Sequence, residues 1–348
     1  MKINLHILLL GILLVSALYS CNNEDDLDIS EKKDNRFDLP QGDHDFDDQI
    51  VEWNNNYGTS VLYRFSNADL NYHFTSSSND VVYDVKMEAE EEGIRAAVQF
   101  LKEDFFDLYS DEVKKELFPA KILMAGMLYK NDNYVPLWDT ISQGGMDFKR
   151  GYMVRGIDHI TLPHVDKDFA QRIQKPEYRE RLKVALNRTF IQFLMNPYND
   201  IIAKIEYSNI LNTFASYSLI SEDAKNGTTN PYSSGNQWYD EEVMYQLGFL
   251  EYGTYWNFWE PYYWTAPDKD NDFYSFLEFI FTQTKSELQA NPLYTNYPQI
   301  QKKCDYLIEA FAEYGIDLHC VGGKEYNEKR VCQKSFFKLP PPFGVLPL

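Results

Sequence analysis

Strand-like segments are confined to the first half of this chain, and the long amphipathic segments follow them without alternation. Residues 59–65 (TSVLYRF) have the β-branched and aromatic content of a strand. Residues 121–129 (KILMAGMLY) read as one buried strand, and residues 157–165 (IDHITLPHV) alternate in part and predict another. Over residues 87–109 the period becomes helical, with Ile94, Ala97, Val98, Leu101, Phe105 and Leu108 on one stripe. Pro176 then opens a helix that runs to about Met195 and stops at Asn196-Pro197. Residues 240–250, 273–288 and 297–314 also read as helices, and residues 223–236 (DAKNGTTNPYSSGN) as a loop. No internal repeat is visible. Strands early and then long helices without alternation predict an α+β fold with helices packed on one small sheet.

The N-terminus predicts export. Lys2 is its only charge, and the apolar run 7–18 is shorter than the roughly 20 residues of a membrane-spanning helix. A short charged start, an apolar middle and a small residue before the cut are what a secretory signal requires. Leu18-Tyr19-Ser20-Cys21 resembles a lipobox, with Tyr19 bulkier than usual. The expectation is removal of residues 1–20 and lipid attachment at Cys21. The acidic stretch after it, Asn22-Asn23-Glu24-Asp25-Asp26-Leu27-Asp28, resembles the surface-export signal of Bacteroidetes-type lipoproteins, and it also serves as a solvated tether over residues 21–44. This predicts a lipid anchor in the outer membrane on its extracellular face, a body over residues 45–323 and an extended C-terminal stretch, 324–348, containing Pro340-Pro341-Pro342.

Charge narrows the partners. With 53 acids against 33 bases the net charge is −20, and losing Lys2 with the signal makes it −21. So acidic a surface repels phosphate backbones, which argues against nucleic-acid binding. After Cys21, three cysteines remain: Cys304, Cys320 and Cys332. At most one disulfide forms among them, its pairing is open, and their spacing matches no zinc knuckle.

Four further stretches, in this order, resemble the zinc-binding metallopeptidase family of surface lipoproteins associated with SusC/SusD-type importers (import-associated zinc metallohydrolases). They are residues 51–65 (VEWNNNYGTSVLYRF); residues 121–129; Leu247-Gly248-Phe249 followed by Ala266-Pro267-Asp268 and Asn271-Asp272-Phe273; and Tyr314-Gly315-Ile316-Asp317-Leu318. The resemblance covers roughly residues 45–318. It implies a zincin-like fold, and its zinc chemistry rests on HExxH, where two histidines one turn apart hold the metal and the glutamate polarises bound water.

This chain keeps the helix and loses the motif. Arg188-Thr189-Phe190-Ile191-Gln192 falls where HExxH would stand. A guanidinium has no lone pair to give a cation, a Gln amide substitutes poorly for imidazole, and Thr189 cannot serve as general base. Downstream, Asn271 and Ser275 replace two acids and Asp272 alone remains. The resemblance therefore implies a pseudo-enzyme with no catalytic residue, no bound metal and no cofactor, zinc entering only if the chain is instead an active metallohydrolase with other ligands. Arg188 suggests a guanidinium in the charge role of the metal, paired with Asp272 or with a ligand carboxylate; the plainer reading leaves Arg188 in solvent.

The other candidates are thinner. His159 and His164, five apart on a strand, would face opposite sides and are expected at the surface or an edge; His319 beside Cys320 lacks further ligands. Asp268, Asp270 and Asp272 mimic an EF-hand start, but Phe273 and Phe279 occupy the positions of its glycine and bidentate acid. Such acids ordinarily cap the helix that follows. Residues 252–264 (YGTYWNFWEPYYW) are the most unusual stretch. Tyr255, Trp256, Trp259 and Trp264 are candidates for a platform that stacks sugar rings or grips peptide side chains, although aromatic runs also serve as packing. Together these features predict an accessory or binding subunit of a SusC/SusD-type nutrient importer, with an active zinc peptidase and a purely structural subunit as the alternatives.

Overall fold

The computed structural model describes residues 37–71, 83–130, 135–136, 153–195, 205–220, 241–256 and 261–319. Residues 1–20, Cys21, Trp259, Cys320, Cys332, residues 223–236 and residues 324–348, on which several of the expectations above fall, lie outside them. The compact unit is Leu39–Leu348.

Its first half interleaves helices and short strands: α1 (Asp47–Tyr57), β1 (Ser60–Leu62), α2 (Asn67–Leu70), β2 (Tyr83–Met87), α3 (Glu91–Asp104), α4 (Asp111–Leu117), β3 (Lys121–Met124), β4 (Met127–Lys130), β5 (Val135–Pro136), β6 (Val154–Arg155) and β7 (His159–Leu162). The second half is α5 (Phe169–Ile173), α6 (Pro176–Met195), α7 (Tyr207–Ser216), α8 (Glu241–Leu247), the strands β8 (Gly253–Trp256) and β9 (Pro261–Thr265), then α9 (Lys269–Phe281), α10 (Lys285–Ala290), α11 (Pro292–Asn296) and α12 (Pro298–Ala312). The fold is a helix-rich mixture built on a small sheet.

That sheet has four strands in the order β1-β3-β7-β6, the first three parallel and β6 antiparallel to β7. Every residue of β3 and β7 is buried, as expected for parallel strands covered on both faces. Val61, Ile122 and Ile160 are in register and belong to the main core, together with the α3 stripe and with Leu182, Leu186 and Phe190 of α6. A second, antiparallel sheet runs β2-β4-β5, and β8 with β9 forms a separate two-stranded ribbon.

Several expectations change here. Residues 121–129 are two strands, not one: the chain breaks at Ala125-Gly126, where the Ala125 amide donates to Leu162 and its carbonyl accepts from Val165, and β4 then joins the other sheet. The 273–288 helix is two helices, because Thr284 starts α10 with a reciprocal capping box to Glu287. Most directly, His159 and His164 are buried instead of lying at a surface or edge. The His159 ring lies against Gly156, where a Cβ would come within 1.9 Å of the ring, and its Nδ1 is 3.1 Å from the Asp158 carboxylate. His164 adopts a left-handed φ of 60° just past β7, and its carbonyl accepts from Arg172 at 2.6 Å.

Candidate functional site

Helix α6 carries the tract Arg188-Thr189-Phe190-Ile191-Gln192. Pro176 occupies its first position, and from Val184 to Met195 every residue but Gln192 is buried. A helix buried nearly all round has no free face on which to present ligands. Thr189 donates its hydroxyl back to the Ala185 carbonyl at 2.8 Å. Phe190 meets Phe105, Tyr109 and Phe118 at centroid distances of 5.3, 5.1 and 5.1 Å, and Ile191 is fully buried. Gln192 is half-buried, and its backbone carbonyl receives Arg155 at 2.5 Å.

Arg188 is buried, against the solvent reading, and its guanidinium pairs with Glu278 of α9. Glu278 is an acid the sequence reading did not single out. On the same helix, Asp268 is the N-cap and accepts from the backbone amide and the side-chain amide of Asn271, at 2.8 and 2.6 Å. Asn271 is thus an exposed capping residue, and Asp268 caps as anticipated.

One turn on, Asp272 is 2 % exposed, and its carboxylate holds the ammonium of Lys303 from α12 at 2.6 Å. Lys303 is itself completely buried. Its Nζ also donates to the Gly248 carbonyl at 2.7 Å and lies 4.7, 4.6 and 4.9 Å from the ring centres of Phe214, Phe249 and Phe276. A buried charge persists where it is paired, and the aromatic faces add cation–π attraction. Asp272 therefore does have a cationic partner, supplied by α12.

This donor set does not fit zinc. The α6 tract offers Arg188, Thr189 and Gln192, while Asp272 is engaged by an ammonium. Among the described residues, no three of His, Cys, Asp and Glu are grouped closely enough to hold a metal ion. A groove of about 190 Å³, lined by Leu288, Tyr294, Asp305, Ile308 and His319 among others, includes none of the α6 or α9 residues discussed above. Cys304, next to Lys303, is a buried free thiol whose pKa is pushed up by burial.

The aromatic stretch is the β8–β9 ribbon. Tyr255 pairs with Tyr263 and Thr254 with Trp264, with an irregularity before Trp256 and Pro261.

No protein-family model matches the sequence, and no curated protein matches it. Among solved structures, the crystal structure of a putative zinc-binding metallo-peptidase from Bacteroides caccae ATCC 43185 is similar to this chain. The likeness covers 80 % of this chain and 88 % of that one, at 14 % identity and a TM-score of 0.40.

Proposed function

We propose that this chain is a lipid-anchored outer-membrane surface protein, a catalytically degenerate relative of the zincin-like metallopeptidases, serving as an accessory or binding subunit of a SusC/SusD-type nutrient importer. The observation that carries the loss of catalysis is the joint replacement of the metal-site groups. Arg188, Thr189 and Gln192 stand on α6 where zinc ligands and a base would be needed, and Asp272 is bound by Lys303. The lipobox-like Leu18-Tyr19-Ser20-Cys21 and the acidic residues after it support the anchor and its outward-facing address. Tyr255, Trp256, Trp259 and Trp264 supply the candidate contacts for a peptide or glycan, and the acidic surface disfavours nucleic acid.

The test is purification of the full chain from outer membranes, with metal analysis, a peptidase assay and identification of co-purifying proteins. The expected result is zinc far below one per chain, no peptidase activity and an importer of the SusC/SusD type in the same fraction. Stoichiometric zinc with peptidase activity would instead establish an active metallohydrolase. Replacing Trp256 and Trp259 by Ala is expected to impair uptake, whereas a purely structural subunit would leave it intact.

A further inference from the structure

The buried ammonium of Lys303 touches both ends of the segment that forms the aromatic ribbon. Gly248, whose carbonyl it binds at 2.7 Å, stands five positions before β8 begins at Gly253. Asp272, bound at 2.6 Å, stands seven positions after β9 ends at Thr265. The surrounding rings repeat this pattern. Phe214 and Phe276 belong to the main core, whereas Phe249 belongs to a small separate cluster with Met244 and Ala266. Lys303 is therefore the group in which the two apolar clusters and both stems of the ribbon converge.

The backbone around Gly248 is built for close approach. Its φ is +91°, and a Cβ there would come within 2.8 Å of the Gln299 Cβ at the start of α12. The Phe249 amide turns back to the Met244 carbonyl at 3.1 Å, so Gly248–Phe249 forms the tight exit from α8. That exit aims a carbonyl at Lys303. An ammonium hidden from water costs far more than an apolar side chain of the same length, and Met could fill the space. What Met could not do is hold a carbonyl and a carboxylate from opposite ends of one segment.

We infer that Lys303 is a positioning residue for the β8–β9 ribbon, the segment that carries Tyr255, Trp256 and Trp264: its ammonium clamps the two stems together and so sets where the ribbon's backbone lies. The presentation of those residues to a ligand rests on the function proposed above; the clamp itself does not.

The experiment compares Lys303→Met and the double variant Asp272→Leu/Lys303→Met with the wild-type full chain, by hydrogen exchange read peptide by peptide at pH 7. A clamp predicts that amides over residues 253–256 and 262–265 exchange about tenfold faster in Lys303→Met, as when a charge-assisted hydrogen bond guarding a local opening is lost. Amides in the middle of α6, which open with the whole chain, should follow overall stability: faster in Lys303→Met and close to the wild-type rate in the double variant. The double variant separates a clamp from a merely stabilising ion pair. It removes the stranded charge and recovers overall stability, yet it still lacks the donor to Gly248, so the ribbon should stay fast. Ribbon exchange at the wild-type rate in the double variant would overturn the inference, and so would acceleration in that variant no greater in the ribbon than in the middle of α6. A loosened ribbon with undiminished uptake would leave the clamp standing and refute the ribbon as ligand platform.

Discussion

The Asp272–Lys303 pair makes a quantitative prediction about what a fully buried ion pair contributes to this fold. At 2.6 Å and an effective dielectric of about 20, the mutual attraction of two unit charges is about 6 kcal/mol. Desolvation of two fully buried ions offsets most or all of it, so the pair adds little net stability. Breaking it from one side is different. Asp272→Leu strands an ammonium that keeps the Gly248 carbonyl and three aromatic faces, and Lys303→Met strands a carboxylate 2 % exposed. Each single change should cost about 3–5 kcal/mol. Replacing both partners by apolar residues of similar volume should cost only about 1 kcal/mol, because the surrounding Phe214, Phe249 and Phe276 accept an apolar stem. The sum of the singles then exceeds the double by about 5 kcal/mol or more. The assay is urea unfolding at pH 7, comparing midpoints at constant slope for the four proteins. If the double variant loses as much as the two singles together, within about 0.5 kcal/mol, the charges are not coupled and the reasoning fails.

Two further outcomes follow from the same packing and charge arguments. Phe190→Ala empties the centre of the Phe105–Tyr109–Phe118 cluster and should lower unfolding stability by about 3–5 kcal/mol in denaturant titration; a loss below about 1 kcal/mol would show that α6 does not anchor the core there. Burial pushes the Asp158 carboxyl up, but bonds from His159 and Lys121 outweigh it and hold the carboxyl below the usual range. A depressed folded value gives stability that is present above the unfolded carboxylate pKa, about 3.9, and is lost as pH falls through the folded value. Asp158→Asn should therefore cost about 2 kcal/mol at pH 7, and the gap to wild type should close below about pH 4; a gap that persists at pH 2 would contradict this.

The parts of the fold that the sequence disclosed are those in which one periodicity decides everything. The α3 stripe and the Pro176-to-Met195 helix are legible because their apolar spacing and terminators agree, and burial enforces both. The division of residues 121–129 is not legible as hydropathy, since Ala125 and Gly126 leave an unbroken apolar run; only the partner strands reveal that the two halves belong to different sheets. The break at Thr284 was readable, because Thr284-Lys285-Ser286-Glu287 is a capping box, but the surrounding helical pattern masked it. His159 and His164 escaped because their burial depends on Gly156 and Arg172, which the chain brings to them from neighbouring turns.

The site shows the same limit more sharply. A lysine in an amphipathic helix ordinarily marks the wet face, and Lys302 does so. Lys303, however, lies three positions after Ile300 and four before Leu307, squarely on the stripe that Cys304 and Phe311 continue. That misplaced charge was the available signal that a buried acid must face it, since a charge on a core stripe needs a partner. Read this way, the sequence holds two acids and two bases around α9, and only their pairing needed the structure. Arg188 goes to Glu278 and Lys303 to Asp272, each across helices distant in sequence.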